Sequence, residues 1–462
     1  MNEQIKSVRD LASEEFDTRT LLRNAVDQAI ERHYEDLFIV DVDSHHYETE
    51  SFKEITQYMA NPVLRQEALY QGMSRGGITS PDGSYQEIAG RITRYPLRKT
   101  EHVPAAPHRD ITLTERFMDA MGTDVTVLFP TPMLNLSNCP RVEVEIELAR
   151  AYNRWLCERV LAHAPRIKSM LYLPFNDPDA CYQMVQEFGD RKGVVGFMVT
   201  STHYRKNYEN SYMRTYAALQ ERGLPLGFHA GFNWADQSLA MTNRFIAVHG
   251  LGFTFSNMVH MANWLVNGMP ERFPQLKTIW IESGLAWIPF MMQRFDNEFM
   301  MRTSDAPLLR RKPSEYMREM YYSSQPMEMV DNRKALELTF EMINAPTQLL
   351  YSSDYPHWDM DLPSTIYDLP FLDMNAKRAI LGGNAQKLFQ ARSGDVASEA
   401  RAQGSAGGGG VSSCCRPREG GDPYAAASQE SGGYRSPPSR GRQRRGRVTT
   451  PQTAACARRA RP

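Results

Sequence analysis

Eight short apolar runs recur along the chain, at 37–43, 125–130 (Val-Thr-Val-Leu-Phe-Pro), 167–174, 193–200 (Gly-Val-Val-Gly-Phe-Met-Val-Thr), 224–229, 277–282, 319–325 and 348–353. Each is brief and mostly continuously apolar, as a strand buried on both faces must be, and the segments between them are long enough to hold a helix. Parallel strands need such crossovers. Eight units of this kind predict an α/β chain closed into a (β/α)8 TIM barrel, whose active site forms where the strands end at their carboxyl termini.

Four of the runs end in side chains that carry chemistry. The first ends in Asp43-Ser44-His45, the fifth in His229, the sixth in Glu282 and the eighth in Asp354. Residues i and i+2 of a strand point the same way, so Asp43 and His45 can share a divalent cation. Any one of these residues alone reads equally well as a turn, a helix cap or an interior histidine. Their common position relative to the strand ends favours one shared site. The imidazoles and carboxylates at these strand ends suit one divalent metal ion, Zn(II) or Mn(II).

Composition sets the domain limits. The net charge of -1 conceals a mildly acidic body and a basic C-terminal segment, for Ser393–Pro462 carries twelve arginines against five acidic residues. That segment is rich in Gly, Ala, Ser, Pro and Arg, with Gly407 to Gly410 in a row, and has too few large apolar residues to offset its ordering entropy. The expected organisation is an N-terminal helical extension at 1–36, a barrel domain at 37–392 and a disordered tail at 393–462. The cluster Arg442-Gln443-Arg444-Arg445-Gly446-Arg447 would fit a nucleic-acid arm. The abrupt change in composition after Phe389 favours spurious translation of GC-rich DNA instead, and the acidic body argues against a nucleic-acid partner.

No run of about 18 uncharged apolar residues exists to span a membrane. The polar start, Met1-Asn2-Glu3-Gln4-Ile5-Lys6, lacks the apolar core of a secretory signal, so a cytoplasmic enzyme is expected. Cys139, Cys157, Cys181, Cys414, Cys415 and Cys456 show no zinc-knuckle or disulfide pattern and read as reduced thiols.

The segment from about 45 to 110 far exceeds an ordinary strand-to-helix connection and predicts a β1–α1 insertion over the barrel mouth. Within it, Arg94 and Arg98 are candidates to pair with a substrate carboxylate, against the alternative of a solvated basic loop. Asn233 and Trp234, just past His229, are candidate pocket residues. The helix expected from Leu285 to Thr303 carries Met291, Met292, Phe295, Phe299 and Met300 at helical spacings and reads as core.

Val40-Asp41-Val42-Asp43-Ser44-His45, Phe228-His229-Ala230-Gly231, Glu271-Arg272-Phe273-Pro274-Gln275-Leu276-Lys277, Ser353-Asp354-Tyr355-Pro356-His357 and Ile380-Leu381-Gly382-Gly383-Asn384-Ala385 together resemble the amidohydrolase-related family. The branch concerned contains aminocarboxymuconate-semialdehyde decarboxylase and γ-resorcylate decarboxylase. The resemblance runs from about Leu37 to Phe389. It implies a metal held by Asp43, His45, His229 and Asp354, with Asp354 also moving a proton. At the end of the sixth strand those enzymes carry a histidine that acts as acid or base, whereas this chain has Glu282. His357 is the first candidate to substitute for it. His260 and His249 read as interior or supporting histidines, and His46 could point either way.

The resemblance implies a decarboxylase of a small aromatic or ring-cleavage-derived carboxylic acid with Asp354 as the proton-transfer group; Glu282, at the position that departs from the family, and His357 are the further catalytic candidates. Glu282 keeps open a hydrolase that uses a metal-activated water on an amide, lactone or C–C bond. A remoter alternative is an inactive barrel with a basic nucleic-acid-binding tail. A homodimer or higher homo-oligomer is compatible with all three.

Overall fold

A computed structural model describes residues 18–71, 107–203, 205–231, 236–328, 332–357 and 359–389. All of these belong to the first of the chain's two compact units, Met1–Ala406. The tail beyond residue 389, the segment 72–106 with Arg94 and Arg98, and residues 232–235 with Asn233 and Trp234 lie outside the described residues.

The eight apolar runs form eight parallel strands in sequential order: β1 (Val40–His46), β2 (Val125–Pro130), β3 (Ile167–Tyr172), β4 (Val194–Thr200), β5 (Leu226–His229), β6 (Thr278–Ile281), β7 (Tyr321–Ser323) and β8 (Leu349–Leu350). Hydrogen bonds from Val42 N to Tyr351 O (3.0 Å) and from Asp354 N to Asp43 O (2.7 Å) join the last strand to the first. The barrel is thereby nearly closed, as a right-handed series of strand–helix units demands.

Several strands are shorter than their apolar runs. Glu282, directly after β6, and Asp354, four residues after β8, have φ of 57° and 56°, a left-handed conformation outside strand geometry. Beyond β8, Ser353 turns instead to Asp41, donating to its carboxylate from both the backbone N–H (2.8 Å) and the hydroxyl.

The barrel interior is filled by side chains. Between β3 and β6 the space is shared by Met170 and Ile281 with Gly196 and Gly227. A Cβ on Gly227 would meet Ile281 Cδ1 at 2.9 Å and Met170 Cε at 3.1 Å. Glycine is required here by close approach rather than by backbone conformation.

Ahead of the barrel, the helix Thr18–Glu31 packs Leu22 and Ala25 against Leu113, Phe117 and Met121 of the helix Arg109–Met121. The described start of the long insertion forms the helices Phe52–Gln57 and Pro62–Gln71. These dock beside the helix Val142–Trp155, with Ala60 N donating to Glu147 (3.1 Å) and Arg159 paired with Glu54 (2.6 Å). The helix Trp287–Met301 buries Met291 and Met292 and packs Phe295 and Phe299 on the core, but Met300 is 62% exposed. Met300 therefore departs from the expected core set. At 100° per residue it falls opposite Met291, on the solvent side.

Candidate metal centre

The four strand ends converge on one buried point. Asp43, His45, His229 and Glu282 each offer an atom within 4.8 Å of the others, and His45, Asp354 and His357 form a second, overlapping group. His45 Nε2 lies 3.1 Å from Asp354 Oδ1 and 3.2 Å from Asp43 Oδ1. His229 Nε2 lies 3.3 Å from the same Asp43 oxygen, and its Nδ1 lies 3.4 Å from Glu282 Oε2.

The surroundings of the two imidazoles fix which nitrogens face inward. His45 Nδ1 is 2.8 Å from the Pro130 carbonyl, and His229 Nδ1 is 2.9 Å from that of Ala230. A carbonyl only accepts, so each Nδ1 carries the proton and, in the neutral ring, Nε2 presents its lone pair to the carboxylates. Lone pairs and carboxylate oxygens at this distance need a cation among them. The centre's demand for positive charge also appears in His45: burial opposes protonation, yet Asp354 and Asp43 outweigh it and push the ring up to about 10.

The donor set fits a divalent ion. Asp43 Oδ2, His45 Nε2, Asp354 Oδ2 and both Glu282 oxygens are buried without hydrogen-bond partners, a costly state for so many polar atoms unless they have another role. Burial pushes Asp43 and Asp354 up, but facing imidazoles win, His229 first for Asp43 and His357 first for Asp354, and hold both below the usual range. Glu282 goes the other way: burial, then Asp354 and Asp43, raise it well above the ordinary value.

His357 Nδ1 donates to Asp354 Oδ1 at 2.8 Å, and its Nε2 lies 3.2 Å from Thr131 Oγ1. Thr131 is fixed by buried Glu48, which accepts from the backbone N–H groups of Thr131 (3.0 Å) and Met133 (2.7 Å). Sequence reasoning missed Glu48, since its partners lie on a distant connection. Asp41 had a signal: it shares the i, i+2 register of Asp43 and His45, and in the structure it anchors Ser353 beside Asp354.

The other candidates separate clearly. His46 turns away to Asp110 (3.1 Å) and Tyr152 (2.9 Å). His260 bonds the Ser201 carbonyl at 3.0 Å, and His249 lies 3.7 Å from Asp359; neither belongs to the convergent groups. Glu282, expected as an acid or base, stands within ligand distance as well.

A parallel eight-stranded barrel with buried histidines and carboxylates gathered at its strand ends defines the class of barrel enzymes built to hold a divalent metal. Residues 42–391 match the amidohydrolase family, and the chain belongs to it. The γ-resorcylate decarboxylase of Polaromonas sp. (strain JS666 / ATCC BAA-500) is 23% identical over 291 residues, covering 60% of this chain and 86% of that protein. An amidohydrolase from Mycobacterium avium subsp. paratuberculosis K-10 superposes with a TM-score of 0.59 at 20% identity, over 76% of this chain and 99% of its own. A dihydroxybenzoic acid decarboxylase from Polaromonas sp. JS666, with bound manganese and the inhibitor 2-nitroresorcinol, gives 0.52 at 18% identity over 78% and 99%. At these identities the structural likeness establishes the fold.

Proposed function

We propose that this chain is a metal-dependent decarboxylase of a small aromatic or ring-cleavage-derived carboxylic acid. The observation that carries the reading is a buried pair of overlapping groups at the barrel mouth, Asp43, His45, His229 and Glu282 in one and His45, Asp354 and His357 in the other. The named decarboxylases among the relatives, one of them crystallised with manganese, support it.

Asp43, His45, His229 and Asp354 would hold one divalent ion, Zn(II) or Mn(II), which when bound supplies positive charge to the substrate's carboxylate and a neighbouring oxygen. His357 orients Asp354 and helps hold its carboxyl below the usual range, while burial, then Asp354 and Asp43, push Glu282 well above it. Two carboxyl groups pushed in opposite directions divide the work of base and acid. We assign Glu282 the proton delivered to carbon as carbon dioxide leaves. The buried surroundings exclude bulk water from that transfer.

The same split favours a second reaction, hydrolysis, in which Asp354 takes a proton from water and Glu282 gives one to the leaving group. A panel of hydroxybenzoates and ring-cleavage products, assayed on the metal-loaded chain for both carbon dioxide and hydrolysis products, separates the two. Carbon dioxide release supports the decarboxylase; hydrolysis without it replaces that reading.

The proposal extends to a homodimer or higher homo-oligomer in the cytoplasm. Exposed Phe290, Met300 and Met301 on one helix support self-association. Among the described residues, no helix is long and apolar enough to cross a membrane. A monomeric mass by light scattering would remove the oligomer from the proposal.

A further inference from the structure

A separate pocket of about 240 Å³ opens between the turn after β4 and the helix Phe245–Val266. None of the residues that converge on the metal centre lines it. Its wall carries two buried histidines, His203 and His260, with ring centres 4.5 Å apart.

Hydrogen bonding fixes both tautomers. His203 Nδ1 accepts from the backbone N–H of Arg205 at 3.1 Å, so the proton sits on Nε2. His260 Nε2 lies 3.0 Å from the Ser201 carbonyl and must donate to it, which leaves Nδ1 as an acceptor. Neither His203 Nε2 nor His260 Nδ1 has a partner. Burial holds both rings neutral, with His260 lowered to about 4. One donor and one acceptor are thus left over on neighbouring rings, the two roles that a hydroxyl group combines.

The remaining wall specifies the rest of the ligand. Exposed Arg205 and Lys206 supply positive charge. One oxygen of the Asp236 carboxylate, Oδ1, accepts from the Ser238 backbone N–H (2.7 Å) and hydroxyl. Leu239 and Phe255 add apolar surface. The volume falls below the roughly 300–1,000 Å³ usual for drug-sized ligands, so it suits a single ring.

We propose that this pocket is a second binding site, distinct from the metal centre, for a small hydroxylated aromatic acid. The acid group pairs with Arg205 and Lys206, the ring lies against Phe255 and Leu239, and the hydroxyl accepts from His203 and donates to His260.

Calorimetric titration of the full metal-loaded chain with salicylate, and with benzoate as the analogue lacking the hydroxyl, tests the assignment. Asp43→Ala, which disables the metal centre, is expected to retain a salicylate-binding class. That class should weaken at least tenfold in Arg205→Ala/Lys206→Ala, whose exposed positions leave the melting temperature unchanged. Benzoate should bind it at least tenfold more weakly than salicylate, and His203→Phe should remove that preference. Loss of all salicylate binding in Asp43→Ala would show that no separate site exists. Unchanged binding in the double variant would equally overturn the proposal. Neither result depends on whether the metal centre performs decarboxylation.

Discussion

Glu282 and Asp354 stand in the left-handed region, at a cost of about 1–3 kcal/mol for each such residue. The fold sustains them because their backbones are tied down, Glu282 N to Ser323 Oγ (3.0 Å) and Asp354 N to Asp43 O (2.7 Å). The strain turns both carboxyl groups inward. Asp354→Asn is expected to lower turnover by roughly three orders of magnitude while weakening metal binding only partly, because an amide oxygen can still coordinate but cannot act as a base. Parallel metal analysis and rate measurements would check this. Glu282 must be protonated to act as the acid, and burial, then Asp354 and Asp43, raise its pKa, so activity is present at lower pH and falls as pH rises through that value. Glu282→Gln should therefore be slow and lack the alkaline limb of the pH–rate profile. An unchanged limb would assign the proton to another group. His45→Ala and His229→Ala should each remove most of the metal by elemental analysis while the chain stays folded.

Among the elements, β3, β5 and β6 share one packing problem, solved by placing Met170 over Gly227 beside Ile281. Met170→Ala should cost about 2–5 kcal/mol through the cavity it leaves, and Gly227→Val about 1–3 kcal/mol through overcrowding. The double variant should cost less than the two together, since the added side chain enters the space vacated; chemical denaturation measures the coupling. The helix Val142–Trp155 carries another kind of tension. Its Glu145 is buried beside Tyr172 and accepts from Asn176 Nδ2 (2.8 Å), and burial pushes it up to about 7. The folded state then holds a proton that the unfolded state releases near 4.5. Stability must decline as pH rises from the unfolded value through about 7, by about 1.4 kcal/mol for each pH unit separating the two values. Glu145→Gln should flatten that decline in melting temperature between acidic and mildly alkaline pH.

For the molecule as a whole, the family match ends at residue 391, and among the described residues the eight strands and the convergent side chains all precede it. Deleting Ser393–Pro462 should leave the melting temperature nearly unchanged and turnover within about tenfold, a barrier difference of roughly 1.4 kcal/mol. A larger loss would mean that the tail contributes to the site.

The number and order of the strands were legible in the sequence because strands buried on both faces are mostly apolar, and each run kept its place. The strand-end positions of Asp43, His45, His229, Glu282 and Asp354 were equally legible, since barrel geometry puts those ends on one face. Direction was less accessible. His45 and His46 are neighbours, yet one faces the centre and the other is drawn to Asp110 and Tyr152, through contacts that no local pattern encodes. The buttress from Glu48 through Thr131 to His357, the tautomers of the inward imidazoles and the opposite shifts of Glu282 and Asp354 likewise arise from residues far apart in the chain. Sequence determined which groups reach the mouth, because periodicity is local; tertiary structure alone decided what each faces, because charge and hydrogen bonding depend on neighbours in space.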